Sequence, residues 1–179
     1  MPDTMEIPSP AMHEIVIERL HHDVVLPARA TVGSAGCDVR AYLSDRSVKF
    51  STGRKHTERQ ATHDGHEWSV TLAPAEMALI PLGFRTRLPE GIEAQLRPRS
   101  GQVFKNALTV PNAPGTVDAD YAEEWMVMVR NDSPAPRRIT HGERIAQVVF
   151  AMYAALPFVE GTVQRTTERA GGFGSTGQQ

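Results

Sequence analysis

Three short stretches of this chain combine charged side chains with backbone freedom, the combination needed to hold and attack an anionic ligand. The first is Arg97-Pro98-Arg99-Ser100-Gly101. A guanidinium presents forked donors that match phosphate oxygens, serine adds a hydroxyl, and glycine lets a ligand approach the backbone closely. The second is Gly115-Thr116-Val117-Asp118-Ala119-Asp120-Tyr121. If this stretch is a strand, Asp118 and Asp120 share a face, so that one serves as a general base while the other fixes a turn or a water network. The third is the glycine-rich C-terminus with Arg169 and Phe173, where a lone aromatic in a glycine run has no core to join and is placed to stack on something. Each has a plainer reading: a surface turn, a capping Asp-x-Asp turn and a flexible tail.

The elements that must position these residues are short strands. Glu14 to Glu18, Trp68 to Leu72, Met77 to Pro81, Ile92 to Leu96, Leu108 to Val110, Trp125 to Val129 and Ile145 to Ala151 are β-branched or apolar runs. Ala73-Pro74, Leu88-Pro89-Glu90-Gly91, Asn131-Asp132-Ser133-Pro134 and His141-Gly142 supply turns between them. Many short strands at regular spacing predict an all-β barrel or jelly roll. No long, capped amphipathic helix is predicted, only a single helical turn within Phe104 to Leu108. Residues 1–12 read as a loose tail, 13–163 as one β domain, and 164–179 as a mobile end. From about Leu43 to Trp68 the chain turns polar and basic and reads as an exposed hairpin or loop.

Composition narrows the function classes. At 179 residues with 40% hydrophobic residues, the chain is long enough for one domain with its own core. A formal net charge of −2 argues against a nucleic-acid backbone as partner. Cys37 is the only cysteine, so no internal disulfide or cysteine-based zinc site forms. No apolar run approaches a membrane span, and residues 1–12 lack the order of a signal peptide, so a cytoplasmic protein is expected. His56, His63 and His66 lie in the polar stretch without metal-ligand spacing and read as solvated; His21, His22 and His141 read as surface residues.

Five motifs in order resemble those of the trimeric dUTP pyrophosphatases. They are Ala35-Gly36-Cys37-Asp38-Val39-Arg40-Ala41, then Arg97 to Gly101, then Asn112-Ala113-Pro114-Gly115-Thr116-Val117-Asp118-Ala119-Asp120-Tyr121, then Gly142-Glu143-Arg144-Ile145-Ala146-Gln147, and last Gly171-Gly172-Phe173-Gly174-Ser175-Thr176-Gly177 preceded by Arg169. The resemblance implies a distorted jelly-roll β-barrel, a homotrimer with active sites shared between subunits, and hydrolysis of dUTP to dUMP and pyrophosphate. That activity limits uracil incorporation into DNA and supplies dUMP for dTMP synthesis. It also implies roles. Asp118 activates water against the α-phosphorus. Asn112 faces uracil together with backbone groups at Thr116 and Val117. Tyr121 packs under the deoxyribose, and Met126 contributes a backbone contact. Arg99, Ser100, Gly101 and Gln147 hold the phosphates, and Asp38 reaches Mg2+ through water. Arg169, Phe173, Gly174, Ser175 and Thr176 belong to a lid that closes over the nucleotide. The chain departs from the family in having Ala122-Glu123 after the tyrosine, a fifth motif one residue shorter, and a longer link at 43–68.

Three rival readings follow. The related dCTP deaminases need a glutamate at the position held here by Met128. A non-catalytic dUTP binder has no use for a carboxylate at Asp118, which repels the triphosphate unless it does chemistry. A nucleic-acid-binding β domain lacks the basic charge and the interleaved aromatics it would need.

Overall fold

Alternation of apolar and polar residues in short runs builds nearly all of the structure, a computed structural model describing residues 14–165. Its strands are β1 (Val16–Arg19), β2 (Ala28–Arg29), β3 (Cys37–Arg40), β4 (Ser47–Ser51), β5 (His56–Gln60), β6 (Thr62–His63), β7 (Trp68–Leu72), β8 (Met77–Pro81), β9 (Phe84–Arg87), β10 (Ile92–Pro98), β11 (Leu108–Thr109), β12 (Gly115–Val117), β13 (Met126–Asn131), β14 (Arg137–Thr140) and β15 (Arg144–Met152), with one short helix, α1 (Ser100–Asn106). Two five-stranded antiparallel sheets, ordered β12-β10-β15-β3-β2 and β11-β13-β8-β4-β5, carry most of the chain; β1-β9 and β14-β7-β6 complete it. Inward residues of both large sheets, such as Val39, Ala94, Leu96 and Val148 from one and Phe50, Ile80, Val127 and Val129 from the other, belong to a single buried cluster. This is the all-β, jelly-roll class expected from the strand pattern.

The predicted strands appear within two residues of their expected ends, and Trp68–Leu72 and Met77–Pro81 match at both ends. Those not predicted, among them β9, β12 and β14, are short or carry charges on their outer face. In β14 only Ile139 is buried, between arginine and threonine neighbours. The helix differs from expectation. It starts earlier, at Ser100, and ends at Ala107, whose φ of 52° is left-handed and whose N–H caps the carbonyls of Gln102 and Val103. That conformation stops the helix before Leu108.

The polar stretch 43–68 is a hairpin, but only half of it is solvated. Strand β4 pairs with β8 and buries Val48 and Phe50, whereas every residue of β5 is exposed. Arg59 from β5 lies over the Phe50 ring at 3.4 Å and pairs with Glu76 at 2.8 Å. His63 packs edge-on against Trp68, and among the described residues no group of three or more His, Cys, Asp or Glu side chains gathers around a point.

Two histidines expected at the surface are instead structural. His141 Nδ1 accepts the N–H groups of Leu43 and Ser44, both at 3.1 Å, and its ring meets Tyr42 edge-on. His21 stacks in parallel on the Tyr42 ring with centroids 4.5 Å apart. Burial, then the hydrogen bond to Asp23, pushes the Tyr42 hydroxyl up to about 12. His22 is exposed.

Asn131 ties three connections together. It is fully buried; its Nδ2 donates to the carbonyls of Leu72 and Ala135, and its Oδ1 accepts from the N–H and hydroxyl of Ser133. Asn131→Ala leaves these groups unpaired inside the protein, and the expected loss is about 3 kcal/mol of folding free energy, read as a lower urea midpoint with unchanged slope.

Candidate active site

The outer face of the first sheet gathers polar side chains by register. Arg97 on β10 lies opposite Gln147 on β15, which lies opposite Asp38 on β3. Residues directly opposite share a face, so the alternation that sends Leu96, Val148 and Val39 into the core sends these three outward. Arg99 Nε donates to Asp38 Oδ1 at 2.8 Å, and Arg144 Nη1 donates to Asp38 Oδ2 at 3.2 Å. Gln147 Nε2 donates to the Pro98 carbonyl at 3.0 Å. A Cβ on Gly36 would lie 2.4 Å from Gln147 Oε1, so glycine there is what allows the glutamine to occupy its place. Ser100 and Gly101 follow at the start of α1 and are exposed, in the first turn where amide N–H groups have no helical acceptor. The cluster thus offers three guanidinium groups, those of Arg97, Arg99 and Arg144, with an amide, backbone donors and one carboxylate.

Sequence reasoning gave Arg144 no role. In an unbroken strand Arg144 and Gln147 point to opposite faces. The β3–β15 register shifts between Arg144 and Ala146, and this irregularity lets both address Asp38. A bulge of this kind leaves no mark in the sequence.

The second group sits on the turn-rich segment around β12. Asn112 lies in a turn closed by the Ala113 N–H on the Val110 carbonyl, followed by a cis Ala113–Pro114 bond. A Cβ on Gly115 would come within 3.0 Å of Asn112 Nδ2, so this glycine makes room for the amide. Thr116 is exposed on β12 and Val117 points into the core. Asp118 and Asp120 are not on a strand, because β12 ends at Val117 and the Tyr121 N–H closes a turn on the Asp118 carbonyl at 3.2 Å. Asp118 and Tyr121 line a cleft of about 820 Å³ together with Arg87, Glu90 and Tyr153. Tyr121 Oη donates to the Glu124 carbonyl at 3.3 Å.

Asp118 and Asp38 stand far apart within one chain, although Gly115 at the start of β12 pairs with Leu96, beside Arg97. Val117 pairs with Ala94, and Asp118 lies one residue beyond it, whereas Asp38 and Gln147 are level with Arg97 on the far side of β10. Four residues of strand rise and three strand spacings separate Asp118 from Asp38, roughly 20 Å. Met126 is exposed on β13, opposite Pro81. Arg169, Phe173, Gly174, Ser175 and Thr176 lie outside the described residues.

Asp38 is the one carboxylate in the first group, and its two oxygens retain acceptor capacity beside the two arginines. A single carboxylate fits a hard divalent ion held mainly by water and ligand phosphates, and does not fit a protein cage.

Known proteins match on both sequence and fold. The dUTPase family model matches residues 65–177. A deoxyuridine 5'-triphosphate nucleotidohydrolase of Rhizobium rhizogenes is 45% identical over 153 residues, 85% of each chain. One of the same name from Caulobacter vibrioides is 41% identical over 156 residues, 87% of each. Among solved structures, a dUTPase of Staphylococcus bacteriophage 80alpha with dUpNHpp superposes with a TM-score of 0.69 at 21% identity, covering 92% of this chain and 98% of the other. A dUTPase of phage phi11 of S. aureus, with a coordinated structural Mg(II) ion, does so with a TM-score of 0.64 at 18% identity, covering 86% and 99%. With a family match over residues 65–177 and two relatives more than 40% identical over at least 85% of the chain, the protein belongs to the dUTPase family.

Proposed function

We propose that this protein hydrolyses dUTP to dUMP and pyrophosphate at sites completed between copies of the chain in a homotrimer. The observation that carries the reading is the separation just described. One chain holds a phosphate-type cluster around Asp38 and a base-and-sugar-type cluster around Asp118, each locally well formed, at a spacing no single nucleotide triphosphate needs. Joining one chain's Asp118 cleft to another chain's Arg99–Gln147 cluster brings both to one ligand. The segment after β15 supports assembly as well. Leu156, Phe158, Val159 and Val163 are 76–106% exposed on a stretch without strand pairing, as suits apolar side chains that rest on another subunit.

In this reading Asp118 accepts a proton from the water that attacks the α-phosphorus in line with the leaving pyrophosphate. Its turn holds the carboxylate at the cleft edge, where alignment of that water supplies much of the rate. Asn112 meets the uracil edge beside the Thr116 and Val117 backbone; the cytosine pattern would leave buried polar groups unpaired there. Tyr121 packs under the sugar and leaves no room for a 2′-hydroxyl. Met126 contributes through its backbone. Arg99, Ser100, Gly101 and Gln147 bind the phosphate chain, and Arg99 exchanges part of its contact with Asp38 for the ligand. Asp38 would hold Mg2+ through water, and the ion, when bound, neutralises charge on the triphosphate. Arg169, Phe173, Gly174, Ser175 and Thr176 form the closing lid. The activity limits uracil in DNA and provides dUMP for dTMP synthesis in the cytoplasm, with no nucleic-acid partner.

The first test is pyrophosphate release from dUTP, dCTP, dTTP and UTP with magnesium and with chelator. Release from dUTP alone, lost on chelation, is expected; ammonia from dCTP would point to a deaminase. Asp118→Asn should keep dUTP affinity and lose turnover by roughly 10³-fold, within the range for a general base. Normal turnover in that variant would remove Asp118 from its role. Gly36→Ala, which pushes Gln147 off the Pro98 carbonyl, is expected to raise KM for dUTP several-fold more than it lowers kcat, about 1 kcal/mol of ground-state binding.

A further inference from the structure

The loop from Asp118 to Glu124, which carries the proposed base and the sugar-packing ring, has no strand partner of its own. What holds its C-terminal end is the side chain of Glu124. That carboxylate accepts three hydrogen bonds: from Arg46 Nη1 at 3.1 Å, from Arg46 Nη2 at 2.5 Å and from the Gly83 N–H at 2.8 Å. The pair is largely buried, with side-chain exposures of 21% for Arg46 and 13% for Glu124. The Glu124 carbonyl in turn receives the Tyr121 hydroxyl. Trp125, the next residue, is locked on both sides: its N–H donates to the Phe84 carbonyl at 2.9 Å and its carbonyl accepts the Leu82 N–H at 3.0 Å.

Arg46 stands at the foot of the polar arm. Its backbone carbonyl accepts the Ala61 N–H at 2.8 Å, closing the arm on itself, while its side chain leaves the arm for the loop. The guanidinium is fixed from behind by His21 Nε2 at 3.1 Å and lies over the Tyr42 ring at 5.9 Å. Gly83, which supplies the third donor, has φ +75° and no space for a Cβ, since one would lie 2.6 Å from Val24 Cγ2. The contact therefore has little freedom to shift.

We propose that Arg46 is a positioning residue for the reaction: the arm, through Arg46 and Glu124, sets the placement of the loop that carries Asp118 and Tyr121. The inserted arm thereby acts on turnover and on sugar selection without touching the nucleotide. This rests on the roles given above to Asp118 and Tyr121. A bidentate guanidinium–carboxylate pair transmits orientation as well as charge, which a lysine cannot reproduce.

The test is steady-state kinetics on dUTP and UTP for the wild type, Arg46→Gln, Arg46→Lys, Glu124→Gln, the Arg46→Gln/Glu124→Gln double variant, and Arg59→Gln as a control. Arg59→Gln breaks a different ion pair of the same arm and uncovers Phe50, so it reports what loss of arm stability does by itself. Arg46→Gln and Glu124→Gln are expected to lower kcat on dUTP roughly tenfold and to narrow the preference for dUTP over UTP. The double variant should be no worse than either single one, because both cut the same link. Arg46→Lys should fall between, and it keeps the proposal testable if Arg46→Gln does not fold. Arg59→Gln should lower the melting temperature and leave the preference intact. A melting temperature that falls in Arg46→Gln with kcat and preference unmoved would overturn the proposal, as would additive losses in the double variant or an equal narrowing in Arg59→Gln. Wild-type protein that fails to turn over dUTP would overturn the functional reading and this proposal together; normal wild-type turnover with an unmoved Arg46→Gln would overturn this proposal alone.

Discussion

Strand β10 is the constraint on which the rest of the structure depends. It pairs over its whole length with β15 and over three residues with β12, so one backbone fixes the register of both functional groups. Its alternate residues face in opposite directions: Ala94 and Leu96 are buried, while Gln95 and Arg97 join the polar face. Burying apolar surface at about 25 cal/mol per Å² drives the inward set, and the outward set is carried along by the period of two. A slip of one residue would bury Arg97 and expose Leu96. The core therefore enforces the geometry of the polar face, although none of the polar residues stabilises that register by itself.

Much of this was legible in the sequence. The strand runs, the turns between them and the motif residues Asp38, Arg99, Asn112, Asp118 and Gln147 were identifiable by type and order, and the structure places Asp38, Arg99 and Gln147 together as one group. What stayed hidden depends on register or on contacts between distant residues. Arg144 reaches Asp38 only because a strand irregularity resets the alternation, and the pair Arg46–Glu124 joins residues 78 apart. Val48 and Phe50 escaped notice because two buried positions among Ser47, Lys49 and Ser51 look like a solvated loop when nothing shows which strand will cover them. His141 is a similar case, since an imidazole nitrogen that accepts two backbone N–H groups cannot be told from a surface histidine by its neighbours in sequence.

Glycine serves this fold where side chains need space as much as where turns do. Gly36 and Gly115 have ordinary backbone angles, and both give room to a side-chain amide, that of Gln147 and that of Asn112. Gly83 combines both demands, with a left-handed φ and close neighbours at Val24 and Tyr42, and it also donates to Glu124. A sequence reader sees glycine in a motif and expects a ligand to approach. In these places the close neighbour is another side chain of the same protein.

The proposed sharing of a site between chains would have a physical consequence for how the charges are kept. The cluster around Asp38 pairs its carboxylate with Arg99 and Arg144 within one chain, so it is satisfied before any ligand arrives. The Asp118 cleft holds its own acids, including Asp120 and Glu90, well away from that cluster. Bringing the two into contact, as proposed, would set carboxylates opposite guanidinium groups, a complementary arrangement that would favour assembly while leaving Arg99 free to exchange a carboxylate for a phosphate. A triphosphate placed in the Asp118 cleft alone would face carboxylates, with Arg87 the nearest cation among the residues that line it. In the shared site proposed above, electrostatics would make the isolated cleft a poor binder and link tight nucleotide binding to the arrival of the neighbouring chain.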